Sequence, residues 1–298
     1  DPGGSNDFSV VDSVGAGFGV FQIVGQRGWV HEHPSVKSWW ERQIAQVGEG
    51  PVGQCLITGD ESCIAATHPK LKGVRGAQSS GAALVSFNEA SYESYGKEQS
   101  LNSPISEDAA FRYTTALNAL TDGPRRSKHV LSVGDATVVF WTEKQTLAED
   151  VFAQFVSSGS SMLDDDQVQD EVVRQKVELF LRALRQGKSA YGDLGGDPES
   201  TRFFLLALSP NAARLSVRFF LVGTLGHLVD NLRHHYSDIA LGRRAASGKL
   251  KGDPEFLSAW SLLSQTARES KEIPPILSGP LLRSIITGVP YPDALYAA

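Results

Sequence analysis

The strongest periodicity in the chain lies between Asp164 and Gln186. There Val168, Val172, Val177, Phe180, Leu181 and Leu184 form an apolar stripe at helical spacing. Acids open the segment, Arg182 and Arg185 suit the negative end of its dipole, and Gly187 stops it. A second helix is expected after Ser106, an N-cap residue type followed by Glu107 and Asp108. Its apolar face carries Ala109, Tyr113, Ala116, Leu117 and Leu120. Another starts at Pro34, runs through Val36, Trp39, Trp40 and Ile44 to about Val47, and ends at Gly48 and Gly50. Three more are expected to close the chain: Leu225 to about Tyr236, Pro254 to about Glu269, and Pro280 to Thr287. Asp253 and Gly279 read as caps of the last two.

Strand patterns are shorter. Phe18 to Val24 and Trp29 to His31 flank a turn at Gly25-Gln26-Arg27-Gly28. Val130 to Val133 and Thr137 to Thr142 flank Gly134-Asp135-Ala136, a hairpin signal. Phe203 to Leu208 reads as a buried strand and Ser209-Pro210-Asn211-Ala212 as a turn. Leu215, Val217, Phe219 and Leu221 then alternate with Ser216, Arg218 and Phe220. From Pro51 to Asn102 no period holds, and Ala82 to Phe87 is the main strand candidate there. Helices and short antiparallel strands mix without βαβ alternation, which predicts an α+β fold whose C-terminal part is mostly helical. The expected division is a loop-rich α+β region over 1–150 and an α+β to helical region over 151–298.

Composition narrows the class. The chain has 298 residues, 41% of them hydrophobic and 21% charged, a globular balance. Its formal net charge is −6, so any nucleic-acid contact has to come from local basic segments rather than the global field. Two cysteines, Cys55 and Cys63, exclude a disulfide scaffold and make a cytoplasmic setting the default. No apolar run reaches the ~18 residues a membrane span needs. No signal peptide is visible. The opening DPGGSND without Met, and the close on VPYPDALYAA, predict a piece of a longer protein.

The irregular stretch holds the candidate chemistry. His68 to Gly81 carries Lys70, Lys72 and Arg75 without an acid, together with Gly73, Gly76 and Gly81, and Gln78, Ser79 and Ser80. Glycines let a backbone approach a phosphate, and amides, hydroxyls and cations are its usual partners. Gln78 has the reach to meet a base edge or wedge between base pairs. Tyr92 and Tyr95 could stack, with Lys97 a further cation. By composition alone the segment reads first as a solvated Gly/Ser surface loop.

Other constellations read as structural. Cys55, Cys63 and His68 match no common zinc spacing, and two small buried thiols are expected instead. His68 with Ser79 or Ser80 lacks a nucleophile elbow and a matched acid. Asp164-Asp165-Asp166 reads as the start of a helix. Arg125, Arg126, Lys128 and His129, and likewise Arg243, Arg244, Lys249 and Lys251, read as solvated basic surface turns, with a grip on the sugar-phosphate backbone of DNA or guide RNA as the alternative. Trp39 and Trp40 are expected as core plus rim, Trp141 and Trp260 as core. No metal, cofactor or catalytic residue is expected.

Longer strings carry a family resemblance. HPKLKGVRGAQSSGAALVSFN, SYGKEQSLNSPIS and YTTALNAL resemble the large subunit of the subtype I-C CRISPR effector (Cascade) complex, as do GDATVVFW at Gly134 to Trp141 and ALSPNAARLSVRFF at Ala207 to Phe220. The likeness spreads from about Cys55 to Tyr291. It implies a non-catalytic subunit that helps recognise a protospacer-adjacent motif, open target double-stranded DNA and steady the R-loop. Implied partners are guide RNA, the backbone subunits and a recruited helicase-nuclease. The residues expected to meet nucleic acid are Lys70, Lys72, Arg75, Gln78, Ser79 and Ser80, then Asn88, Lys97 and Asn102, then Arg214 and Arg218. The rival expectations are a metal-dependent nuclease and a bridging subunit that contacts guide RNA and protein.

Overall fold

The computed structural model describes residues 20–46, 50–133, 136–144, 146–157, 179–180, 182, 197, 199–239, 259–268 and 273–298. Most of the stripe from Asp164 to Gln186, the Asp164–Asp166 triplet, the turn at Gly134-Asp135 and the basic run from Arg243 to Lys251 lie outside them. The chain forms two compact units, residues 1–66 with 93–110, and residues 67–92 with 111–298.

In the first unit, helix α1 spans Pro34–Gln46. Strands β1 (Val52–Gln54) and β2 (Glu61–Cys63) pair antiparallel, Val52 opposite Cys63. Cys55 and Ile64 are its buried anchors. The strand expected over Phe18–Val24 does not form among the described residues. Phe21 and Val24 are exposed, Gly25 has φ +87°, and Val30–Glu32 is a 3-10 turn where a returning strand was expected. One bond from Val30 N–H to the Phe21 carbonyl closes this turn, too little to hold a ladder. Trp39 and Trp40 are both about half exposed, at 51% and 56%, so neither is a core residue.

The second unit is built on a sheet. Helix α2 (Glu107–Thr121) has its first turn in the first unit and the rest in the second. Strands β3 (Val130–Val133), β4 (Ala136–Thr142), β5 (Arg202–Asn211) and β6 (Arg214–Thr224) form an antiparallel sheet in that order. Its strands come from both sides of residue 150. Helices α3 (Ala148–Ser157), α4 (Leu225–Asp238), α5 (Ala259–Leu263) and α6 (Pro275–Thr287) also belong to this unit. The α+β expectation holds, with helices in the C-terminal part.

Both sheet faces bury apolar residues, because side chains alternate along each strand. Val138, Phe140, Phe203, Leu205 and Ala207 face the helices and pack with Phe152, Phe180, Leu225, Leu232 and Leu281. Phe152 sits edge-on to Phe140 at 4.9 Å and to Phe203 at 5.3 Å, pairs worth about 1 kcal/mol each beyond area burial. Val139, Leu206, Leu208 and Leu215 face the other way and bury Leu71, Val74 and Ala82 of the 67–92 segment.

Several boundaries differ from the sequence expectation. The β5–β6 turn falls at Ala212-Ala213, with Ala212 at φ +52°, and Ser209 to Asn211 are strand. In β6 the register shifts: Ala207 faces Phe219 but Leu208 faces Val217, so Arg218 is a bulge. The bulge breaks the expected alternation. Leu215 packs on one side of the sheet, Phe219 and Leu221 pack on the other, and Val217 is 51% exposed. Ala82–Phe87 is no strand. It makes single bridges from Ala82 to Leu71 and from Ala83 to Arg214. Helix α6 begins at Pro275 and contains both Gly279 and Pro280, so Gly279 is not its cap. Of the expected Pro254–Glu269 helix, the described part is helical over Ala259–Leu263 and 3-10 over Ser264–Thr266.

Candidate nucleic-acid interface

The segment 67–92 is a docked loop with a polar outer side. Leu71 pairs with Ala82 through two backbone bonds of 2.9 Å. Extended residues alternate sides, so burying Leu71 turns Lys70 and Lys72 outward together. Gln78 to Gly81 closes as a turn, Gly81 N–H donating to the Gln78 carbonyl at 2.9 Å, which puts Ser79 and Ser80 at its tip. Lys70, Lys72, Arg75, Gln78, Ser79 and Ser80 are all exposed.

Side chains of the sheet and of α2 hold this loop by its backbone. Asn118 Oδ1 accepts the Lys72 N–H at 2.8 Å, and Asn118 Nδ2 donates to the Lys70 carbonyl at 3.1 Å. Arg75 N–H donates to Thr137 Oγ1 at 3.0 Å, and Arg126 donates to the Gly73 carbonyl at 3.3 Å. At the loop's start, His68 Nδ1 and the Tyr113 hydroxyl are 2.6 Å apart. Burial lowers the His68 pKa and raises that of Tyr113 to about 12, so a neutral pair is favoured.

The glycines serve the protein itself. Gly73 has φ +72°, and a Cβ there would lie 2.0 Å from the Thr121 carbonyl oxygen. Gly81, at φ +89°, has the Leu71 carbonyl 2.9 Å from where its Cβ would be. The close approach that the sequence assigned to a phosphate is used at these two positions by the loop's own supports.

The loop meets the β5–β6 turn. Gly76 lies against Pro210, and Ala83 bridges to Arg214. Arg214 is held by two neighbours: its guanidinium donates to Asn88 Oδ1 and lies 4.3 Å from the Tyr92 ring centroid. Thus Lys70 to Ser80, Asn88 and Arg214 belong to one unit and to one loop-and-turn assembly. Segment 67–92 holds Lys70, Lys72 and Arg75 against the single acid Glu89, a local excess of cations in an acidic chain. Arg218 donates to Ser209 Oγ at 3.2 Å, and Ser209 lies on the same strand face as Ala207 of the helix-side core.

Lys97 and Asn102 lie in the first unit. Lys97 is exposed. The Asn102 carboxamide is taken up locally, accepting from Ser94 N–H and donating to the Lys97 and Gln99 carbonyls. Tyr95 is fully exposed. Cys55 Sγ accepts from Ser106 N–H and Cys63 Sγ from Gly50 N–H, and among the described residues no three His, Cys, Asp or Glu side chains converge.

The basic turn before β3 is largely structural: Arg126 holds Gly73, Lys128 pairs with Asp150 at 3.6 Å, and His129 bonds the Phe140 carbonyl. Arg125 lies beside an apolar groove of about 720 Å³ lined by Leu117, Leu120, Trp141, Val217 and Phe220. Trp141 stacks on Phe204 at 5.2 Å there and is only partly buried. Asn118, Thr137 and Arg126 were not singled out as supports by the sequence. An Asn among the apolar positions of YTTALNAL was their one visible sign.

These features define an α+β protein that displays a braced basic loop. The family model described as CRISPR-associated protein (Cas_Csd1) matches residues 6–298, and the chain belongs to that family, the large subunit of type I-C CRISPR systems. Its partners are therefore those of a Cascade-type assembly. No curated protein matches the chain. Among the described residues, no helix is long and apolar enough to cross a membrane.

Proposed function

We propose that this chain is a non-catalytic, cytoplasmic subunit that contributes to protospacer-adjacent-motif recognition, opening of the target duplex and stabilisation of the R-loop. The observation that carries this reading is the docked 67–92 loop, with Leu71, Val74 and Ala82 buried and Lys70, Lys72, Arg75, Gln78, Ser79 and Ser80 all outward. Cations on a backbone already fixed lose no backbone entropy on meeting phosphates, only that of their side chains. Gln78, at the turn's first position, is placed to meet a base edge or prop an opened step. Guide RNA and the backbone subunits hold the chain in place, base pairing reads the sequence, and a recruited helicase-nuclease cuts. A chain of net charge −6 needs that assembly to reach DNA at physiological salt.

In the assembled complex, Arg75→Ala with Gln78→Ala should weaken target-duplex affinity by roughly tenfold or more at ~0.15 M salt, since one such contact is worth about 1–3 kcal/mol. Unchanged affinity removes the loop from DNA recognition. Failed assembly instead turns it toward guide RNA or protein. The non-catalytic part is checked by incubating the purified chain with labelled DNA and Mg²⁺ or Mn²⁺. No cleavage is expected, and metal-dependent turnover would install the nuclease reading.

A further inference from the structure

We infer that Asn118 is a positioning residue that sets Lys70 and Lys72 for phosphate contact; the inference rests on the proposed role of the 67–92 loop in binding DNA. An extended chain directs the N–H and C=O groups of successive residues to opposite edges. On one edge, both backbone groups of Leu71 pair with Ala82. On the other edge, the Lys70 carbonyl and the Lys72 N–H meet no strand, and the Asn118 carboxamide takes both, at 3.1 and 2.8 Å. A side-chain amide here replaces the peptide group of a neighbouring strand. Leu71, 0% exposed, anchors the same three residues from beneath. Asn118 comes from α2, while Ala82 belongs to the loop itself, so the carboxamide ties Lys70-Leu71-Lys72 to a helix. With it in place, the two ammonium groups spring from a fixed base on the same outward side. Without it, one edge of the segment turns to water, and the lysines spread over many positions. Both bonds from Asn118 go to backbone groups of the lysines, so its effect on DNA runs through that shared backbone.

The test is a double-mutant cycle in the assembled complex. Target-duplex affinity is measured over a range of salt for the wild type, Asn118→Ala, Lys70→Ala with Lys72→Ala, and all three substitutions together. Asn118→Ala should weaken binding about fivefold at ~0.15 M salt and flatten the salt dependence. On the background lacking both lysines, it should have no further effect on affinity, although it still lowers the melting temperature. A merely structural Asn118 would give the same fivefold loss on both backgrounds, and that result overturns the inference. So does unchanged affinity of Asn118→Ala where loss of the lysines weakens binding. If removing the lysines changes nothing, the lysines take no part in DNA binding and this inference fails, while the loop's DNA role still stands or falls with the Arg75 and Gln78 substitutions. Should Asn118→Ala not assemble, Asn118→Ser runs the same cycle. It stays neutral, its side chain is too short to hold both the Lys72 N–H and the Lys70 carbonyl, and the same two outcomes decide.

Discussion

At the scale of single residues, Gly73 is where the loop tolerates least. Its φ of +72° disfavours any L side chain, and the Thr121 carbonyl occupies the space a Cβ would need. Gly73→Ala should destabilise the second unit by about 3 kcal/mol or more in denaturant unfolding. Gly76→Ala is the matched comparison. Its φ is +78°, but its nearest neighbour is the side chain of Pro210 at 3.2 Å, which has room to give. That substitution should cost about 1 kcal/mol. Equal costs would show that the Thr121 clash is relieved by movement. The same residues mark how far the sequence could be read. Lys70, Lys72, Arg75 and Gln78 were legible as an acid-free polar run, and all four are exposed. What Gly73 approaches was not legible, because a glycine's identity carries no information about its neighbour. Asn118 was hidden for a related reason: a single polar residue on a helix reads as solvated until a backbone edge is found opposite it.

At the scale of elements, the docking of α4 against the C-terminal residues should respond to pH. His235 on α4 is buried and its Nδ1 is 2.7 Å from the Tyr291 hydroxyl. Burial lowers its pKa from 6.5 to about 4, against the opposing pull of Asp238, and Tyr291 is pushed up to about 12. The folded pKa lies below the unfolded one, so the unfolded chain takes up a proton first. Stability from this group is complete above pH 6.5, declines as pH falls toward 4, and loses no more below that. The full loss is on the order of 3 kcal/mol. Comparing His235→Gln with the wild type across that range isolates it. The variant's stability should vary less with pH, and parallel curves would remove His235 as the cause. Among the strands, β3 to β5 followed their apolar runs closely, because both faces of the sheet are covered. Strand β6 did not. A bulge is one extra residue in a pairing register, and a period-2 pattern read along one strand cannot contain it.

At the scale of the molecule, charge and shape work in opposite directions. The chain is acidic as a whole, yet the loop that faces outward is locally basic. That combination disfavours solitary DNA binding and suits a member of a Cascade-type assembly. The sequence by itself determined the α+β class, most helices and strands of the described part, and the family. These follow from local propensity, periodicity and long strings of matching residues, all of which are properties of neighbours along the chain. Tertiary structure alone decided that 67–92 is braced rather than loose, that Arg214 is held by Asn88 and Tyr92, and that Arg218 turns toward Ser209. Each of these depends on a partner beyond the reach of a local pattern, from nine residues away for Arg218 and Ser209 to 126 for Arg214 and Asn88, and nothing along the chain records which edge or ring will be opposite when it folds.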